Sequence, residues 1–159
     1  MEKIRLGIIG VGNMGSGHVN NIMDGKCPEI ELVAVADIRP ERLEWAKTRK
    51  EDIACFNTAE EMLDSGLIDA VLVAVPHYDH PRYVMEAFKR GIHAMCEKPA
   101  GVYTKQVKEM NATAEKSDKL FGMMFNQRSN PIYRKMKEMV SGGELGEIKR
   151  VNWIITNWY

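Results

Sequence analysis

Gly10-Val11-Gly12-Asn13-Met14-Gly15 is a GxGxxG run lying between an apolar segment, residues 3–9, and an amphipathic one that starts near Met14. The chemistry such a run supports is the holding of a phosphate anion. Gly10 permits a tight turn, Gly12 lets the backbone approach a pyrophosphate, and Gly15 lets a helix pack closely on a strand. The helix that follows, with Asn13 and Met14 in its first turn, offers free N–H groups and the positive end of its dipole. Asp37 stands 22 residues after Gly15, at the end of the next apolar run. A carboxylate there can accept hydrogen bonds from the hydroxyls of an adenosine ribose. A helix-initiating aspartate ahead of Pro40 is the plainer account of the same residue. The charge on Asp37 repels a 2′-phosphate and so favours NAD over NADP. Arg39 pulls the other way, because a guanidinium can pair with a phosphate or stack on adenine.

These residues need a frame to bring them together. Residues 3–9, 31–37, 53–56, 69–75, 93–97 and 119–125 read as strands. The run 69–75 is almost wholly apolar, as a central parallel strand covered on both faces requires. Helical stretches lie between them: from about Met14 to Met23, from Pro40 through Leu43 and Ala46, through Met62 and Leu63, from Pro81 to Gly91, and from Thr104 to about Lys116. Thr58 followed by Glu61 has capping-box spacing, and Thr104 suits the cap of its helix. Strand–helix alternation predicts an α/β fold with a doubly wound parallel sheet, since each parallel crossover needs a connection long enough to cover a face. Six strands in the order 3-2-1-4-5-6 complete a Rossmann sheet. Residues 1–125 are therefore expected to form a dinucleotide-binding domain. Residues 126–159 are expected to give a connecting helix and the first strand of a second, truncated α+β domain.

Composition narrows the partners. The 159 residues carry 22 Lys+Arg against 22 Asp+Glu, for a formal net charge of zero. That balance makes no electrostatic case for nucleic acid or an anionic membrane. No apolar run approaches the roughly 20 residues of a membrane span. Cys27, Cys55 and Cys96 are widely spaced and form no CxxC pair, which argues against a disulfide framework and for a reducing cytoplasm. His77 and His80 lack a convincing third ligand, so no metal site is expected.

Four further elements each follow an expected strand: the glycine motif extended to GxGxxGxxH by His18, VPHYDHP (75–81), CEKPAG (96–101) and FNQRSNP (125–131). Taken together they resemble the N-terminal half of the Gfo/Idh/MocA family, which groups glucose–fructose oxidoreductase, inositol dehydrogenase and rhizopine-catabolism proteins. The resemblance covers essentially the whole chain, and EKP is its most specific part. It implies an oxidoreductase that transfers hydride between a nicotinamide cofactor and a sugar, cyclitol or related polyol, in a homo-oligomer. It also places Lys98 at the reacting carbon as the catalytic residue, where an ammonium can donate a proton and polarise oxygen. Spacing alone reads Lys98 as a solvated lysine at a strand end. Pro76, His77 and His80 fall at the carboxyl edge of the fourth strand, where such sheets bind ligands. The family pattern commonly has Asn where His77 stands. Glu97, with Pro99, is expected to shape the Lys98 loop and line the cofactor side. His18 reads as a packing or polar residue, and Met14 as either a cofactor contact or core.

Family members continue into a second domain that carries another acid–base group, often a histidine. This chain has no histidine after His93. Residues 131–140 read as the connecting helix and 147–159 as one strand, with Val151, Trp153, Ile155 and Tyr159 on one face. The chain is thus expected to be part of a larger oxidoreductase, inactive alone and self-associating through that strand. The alternative is a stand-alone dinucleotide-binding or redox-sensing module without catalysis.

Overall fold

Short apolar strands that must bury both faces dictate the architecture of residues 1–124, which cluster as one unit. The computed structural model describes residues 2–154 and 156. In chain order this unit runs β1 (Ile4–Ile9), α1 (Asn13–Met23), β2 (Ile30–Ala36), α2 (Pro40–Arg49), β3 (Ala54–Phe56), α3 (Ala59–Asp64), β4 (Ala70–Val73), α4 (His80–Lys89), β5 (His93–Cys96), α5 (Thr104–Lys116) and β6 (Phe121–Met123). The six strands pair in parallel in the order β3-β2-β1-β4-β5-β6. The chain reverses its direction of winding between β1 and β4, and the crevice at that switch point is where open α/β sheets bind ligands.

Alternation along the strands sends side chains to two cores. Leu6, Ile8, Leu32, Val35 and Leu72 pack with Val19 of α1 and with Leu43 and Ala46 of α2. Ile9, Ala34, Ala36, Val71, Val73 and Ala94 face the other way, against Met62 of α3, Val84 and Phe88 of α4, and Met110 of α5. Two helices thus cover one face and three the other. The helix starts follow their local chemistry. Thr58 Oγ1 accepts from Glu61 N–H at 3.2 Å while Glu61 Oε2 accepts from Thr58 N–H at 3.3 Å, closing the expected capping box of α3. Pro40 occupies the first position of α2, where a missing N–H costs nothing.

Two starts differ from expectation. Helix α4 begins at His80, one residue before Pro81, because proline is as well accommodated in the second position of the first turn. Thr104 is the first helical residue of α5 and makes no cap; Tyr103 precedes it in extended conformation.

Residues 125–159 form a separate unit. Its described part holds a 3₁₀ turn (Asn126–Ser129) and α6 (Pro131–Ser141). Asn130 Oδ1 caps α6 by accepting from Ile132 N–H at 2.9 Å. The strand expected over 147–159 is corrected for its described residues: 147–154 and 156 belong to no strand. Val151, Trp153 and Ile154 are exposed, and the Trp153 ring lies 5.5 Å from that of Tyr133. An extended segment becomes a strand only when neighbours take its backbone N–H and C=O groups. The described residues of this unit contain no such neighbour. Ile155 and Tyr159 lie outside the described residues. No described helix is long and apolar enough to cross a membrane.

Candidate cofactor and active site

The β1–α1 turn is built by steric necessity. Gly10 has φ +88°, and a Cβ on it would lie 2.7 Å from the Ala74 carbonyl oxygen. A Cβ on Gly15 would lie 1.8 Å from the Gly10 oxygen, so α1 sits directly on the turn only because no side chain intervenes. Gly12 is different. Its nearest prospective neighbour is the Arg39 guanidinium at 3.7 Å, so the protein leaves open the space in front of this residue. Gly12 is also the N-cap of α1, and no side chain caps the helix. The N–H groups of the first turn are thereby left for an anion.

Asp37, buried at the end of β2, faces the same turn. Its Oδ2 accepts from Val11 N–H at 2.7 Å, and its Oδ1 accepts from Arg39 N–H at 2.9 Å and from Arg39 Nε at 3.4 Å. A carboxylate offers about four acceptor sites, so one is left for a ribose hydroxyl. Asp37 therefore organises the chain before α2 and keeps one acceptor site unused.

Gly10, Gly12, Asn13, Met14, Asp37, Arg39 and Pro76 line one cleft of ≈ 560 Å³ at the carboxyl edge of the sheet. Met14 is half exposed rather than core. Sequence reasoning missed Arg42, Asn57 and Tyr83 on the same walls. The Arg42 Nε is buried without a hydrogen-bond partner. Burial pushes the Tyr83 phenol above its ordinary range. Asn57 follows β3 as Asp37 follows β2, so strand-end position was the signal available for it.

His77, Glu97 and Lys98 lie outside that cleft. Lys98 follows β5; its side chain is exposed and makes no ion pair among the described residues. The Lys98–Pro99 peptide is cis. Glu97 is buried, with Oε1 2.7 Å from His18 Nε2 and Oε2 accepting from Lys98 N–H at 3.1 Å. His77 is exposed, its ring 5.6 Å from that of His80. His80 also lies outside that cleft. Its ring is buried, with Nδ1 2.7 Å from the Pro99 oxygen and Nε2 2.9 Å from the Val75 oxygen. Both neighbours are carbonyl acceptors, so a neutral ring donates to one of them in either tautomer, and His80 packs the β4–α4 loop against the Lys98 loop. No group of three or more potential metal-ligating side chains occurs among the described residues.

A parallel sheet with a glycine turn at its switch point, an uncapped helix start and an acid ending the adjacent strand defines a dinucleotide-binding domain. The sequence model of Gfo/Idh/MocA, described as an oxidoreductase family with an NAD-binding Rossmann fold, matches residues 4–125. The chain belongs to that family. It is 31% identical over 153 residues to the rhizopine catabolism protein MocA of Rhizobium meliloti, covering 96% of this chain and 47% of that one. To myo-inositol 2-dehydrogenase of Thermotoga maritima it is 29% identical over 144 residues, covering 91% and 42%. Among solved structures, scyllo-inositol dehydrogenase of Lactobacillus casei with bound NAD(H) and scyllo-inositol superposes with a TM-score of 0.87 at 28% identity, over 92% of this chain and 43% of that one. The chain spans less than half the length of these relatives.

Proposed function

We propose that this chain is the cofactor-binding part of an NAD-dependent dehydrogenase acting on a CH–OH group of a sugar, cyclitol or related polyol. The observation that carries the reading is the cleft itself, with the open cradle at Gly12, the uncapped start of α1 and the spare acceptor of Asp37 facing one space. The residues fit a dinucleotide. Gly10, Gly12, Asn13, Met14 and Gly15 form the pyrophosphate turn, Asp37 takes the adenosine ribose, and Arg39 and Pro76 close the walls. NAD, when bound, supplies the hydride acceptor or donor. Lys98 then holds the substrate oxygen and donates or takes up its proton, with His77 at the same edge and Glu97 beneath it. Asp37 makes NADP the weaker cofactor.

Residues 1–125 serve as the dinucleotide domain, and 126–159 as the start of a substrate domain. The protein works as a homo-oligomer, and its three free thiols suit a reducing cytoplasm. Support comes from the inositol and rhizopine relatives named above. The test is a titration of the full-length protein with NAD and NADP, followed by turnover on a panel of cyclitols and sugars. Tighter NAD binding and NAD reduction with a polyol are expected. Equal or tighter NADP binding would transfer control of the choice to Arg39, and absence of turnover would favour a binding or sensing module.

A further inference from the structure

We propose that His18 is a positioning residue for Lys98, acting through Glu97; the inference rests on the assignment of Lys98 made above. Three polar or charged residues are buried in the described structure: Asp37, His80 and Glu97. Each stands near the carboxyl edge of the sheet and ties two loops together. Asp37 ties β2 to the glycine turn, and His80 ties the residues after β4 to Pro99. Glu97 ties α1 to Lys98.

The geometry of that third tie is specific. The Glu97 side chain is 5% exposed, so its carboxylate must find its partners inside the protein. It has one on each oxygen: His18 Nε2 at 2.7 Å and Lys98 N–H at 3.1 Å. His18 thus orients the carboxylate, and the carboxylate fixes the backbone from which the Lys98 side chain springs. His18 lies on α1, five residues beyond Asn13, about 7.5 Å along the helix. One rigid helix therefore offers its first turn to the pyrophosphate and its His18 side chain to the Lys98 loop. The arrangement sets the distance between the cofactor and the proton-handling ammonium. A displacement of about 1 Å at such a site can cost on the order of 100-fold in rate.

The test uses the full-length protein and four variants: Lys98→Ala, His18→Ala, His18→Gln and the double variant His18→Ala/Lys98→Ala. Turnover of His18→Ala should fall roughly 10–100-fold, while its NAD dissociation constant changes less than about threefold. His18→Gln, which keeps an N–H donor at similar reach, should recover most of the loss. The double variant should be no slower than Lys98→Ala, within about twofold, because a residue acting only through Lys98 adds nothing once Lys98 is gone. If His18→Ala does not fold, His18→Leu fills the space without a donor and replaces it in both measurements. Normal turnover in the donor-less variant, fully additive losses in the double variant, or failure of both Ala and Leu variants to fold each overturn the positioning role. If Lys98→Ala itself turns over normally, the Lys98 assignment falls, and this inference with it. A silent Lys98→Ala beside an active His18→Ala sinks only the inference.

Discussion

Replacing Gly15 with alanine and, separately, Gly12 with alanine should have very unequal effects on stability. At Gly15 the added Cβ lands 1.8 Å from the Gly10 oxygen and 2.9 Å from its carbonyl carbon. That is about 1.6 Å inside ordinary contact, and the obstructing atoms are backbone, so no rotamer change relieves it. Overpacking with movable neighbours costs roughly 1–3 kcal/mol; here the start of α1 must lift from β1, and a loss of about 3 kcal/mol or more is expected. At about 2–4 °C per kcal/mol for a domain of this size, Tm should drop by at least about 6 °C. At Gly12 the Cβ meets only the Arg39 guanidinium at 3.7 Å, and the backbone, at φ −74°, is open to any residue. Alanine there should change Tm by no more than about 2 °C, since the unfolded-chain freedom it removes, worth roughly 0.4–1 kcal/mol, is offset by its poorer fit at the N-cap of α1. The same methyl fills the cradle, so NAD affinity should fall. Calorimetry paired with NAD titration reads both effects. Equal destabilisation by the two substitutions, or a Gly15→Ala protein as stable as its parent, would refute the steric argument.

Thr58→Ala removes one half of the α3 capping box and should cost about 0.5–2 kcal/mol in urea denaturation; no loss would show that the cap is idle. The Arg5 guanidinium, bonded to Asp69 at 2.6 Å, holds that carboxyl below its usual range. A depressed carboxyl stabilises the fold above the unfolded value near ~3.9 and stops doing so as pH falls through the folded one. The small Tm deficit of Asp69→Asn should therefore be largest at pH 7 and shrink below pH ~3.9. A deficit constant across that window would contradict the assignment. Burial, with the Glu97 charge second, pushes the Cys96 thiol up to about 12. Iodoacetamide at pH 8 should label Cys27, which is only half-buried, and spare Cys96 until the protein unfolds. Rapid native labelling of Cys96, read by mass spectrometry, would count against its burial.

The sheet is legible in the sequence because its central strands are largely apolar on both faces. Residues 69–75 and 31–37 leave no other reading, and the glycines at 10, 12 and 15 carry their steric purpose in their identity. The ends of α4 and α5 are less legible, since proline is tolerated at either of two starting positions and a threonine beside a helix start need not cap it. Residues 147–154 and 156 are misleading in a specific way. Their alternating aromatic and β-branched residues have strand character, but strand formation depends on neighbours rather than on the segment itself. The polar ties at the site are the least legible. His18 and Glu97 are 79 residues apart, and neither carries a local signal of the other. His80 shows the converse, for its position after β4 suggests a ligand contact while its ring is buried against the Pro99 and Val75 carbonyl oxygens. Arg42 is hidden because it sits within a helix whose sequence reads simply as surface.

The double duty proposed for Asp37 limits how cofactor choice can drift through mutation. A change that admits a 2′-phosphate must remove the charge, and the carboxylate that carries it also receives the Val11 N–H and the Arg39 N–H. Alanine or glycine would strand a buried donor at the tip of the glycine turn, at about 1–3 kcal/mol. Asparagine keeps one oxygen, but its amide turns a donor toward one of the two N–H groups that now bond to carboxylate. Each of these substitutions thus loosens the glycine turn at the moment it removes the charge that opposes a 2′-phosphate. A productive route to a phosphorylated cofactor needs a second residue that first supplies Val11 with another acceptor. Under that proposed role, a firm turn and a preference for the unphosphorylated dinucleotide are kept by the same carboxylate.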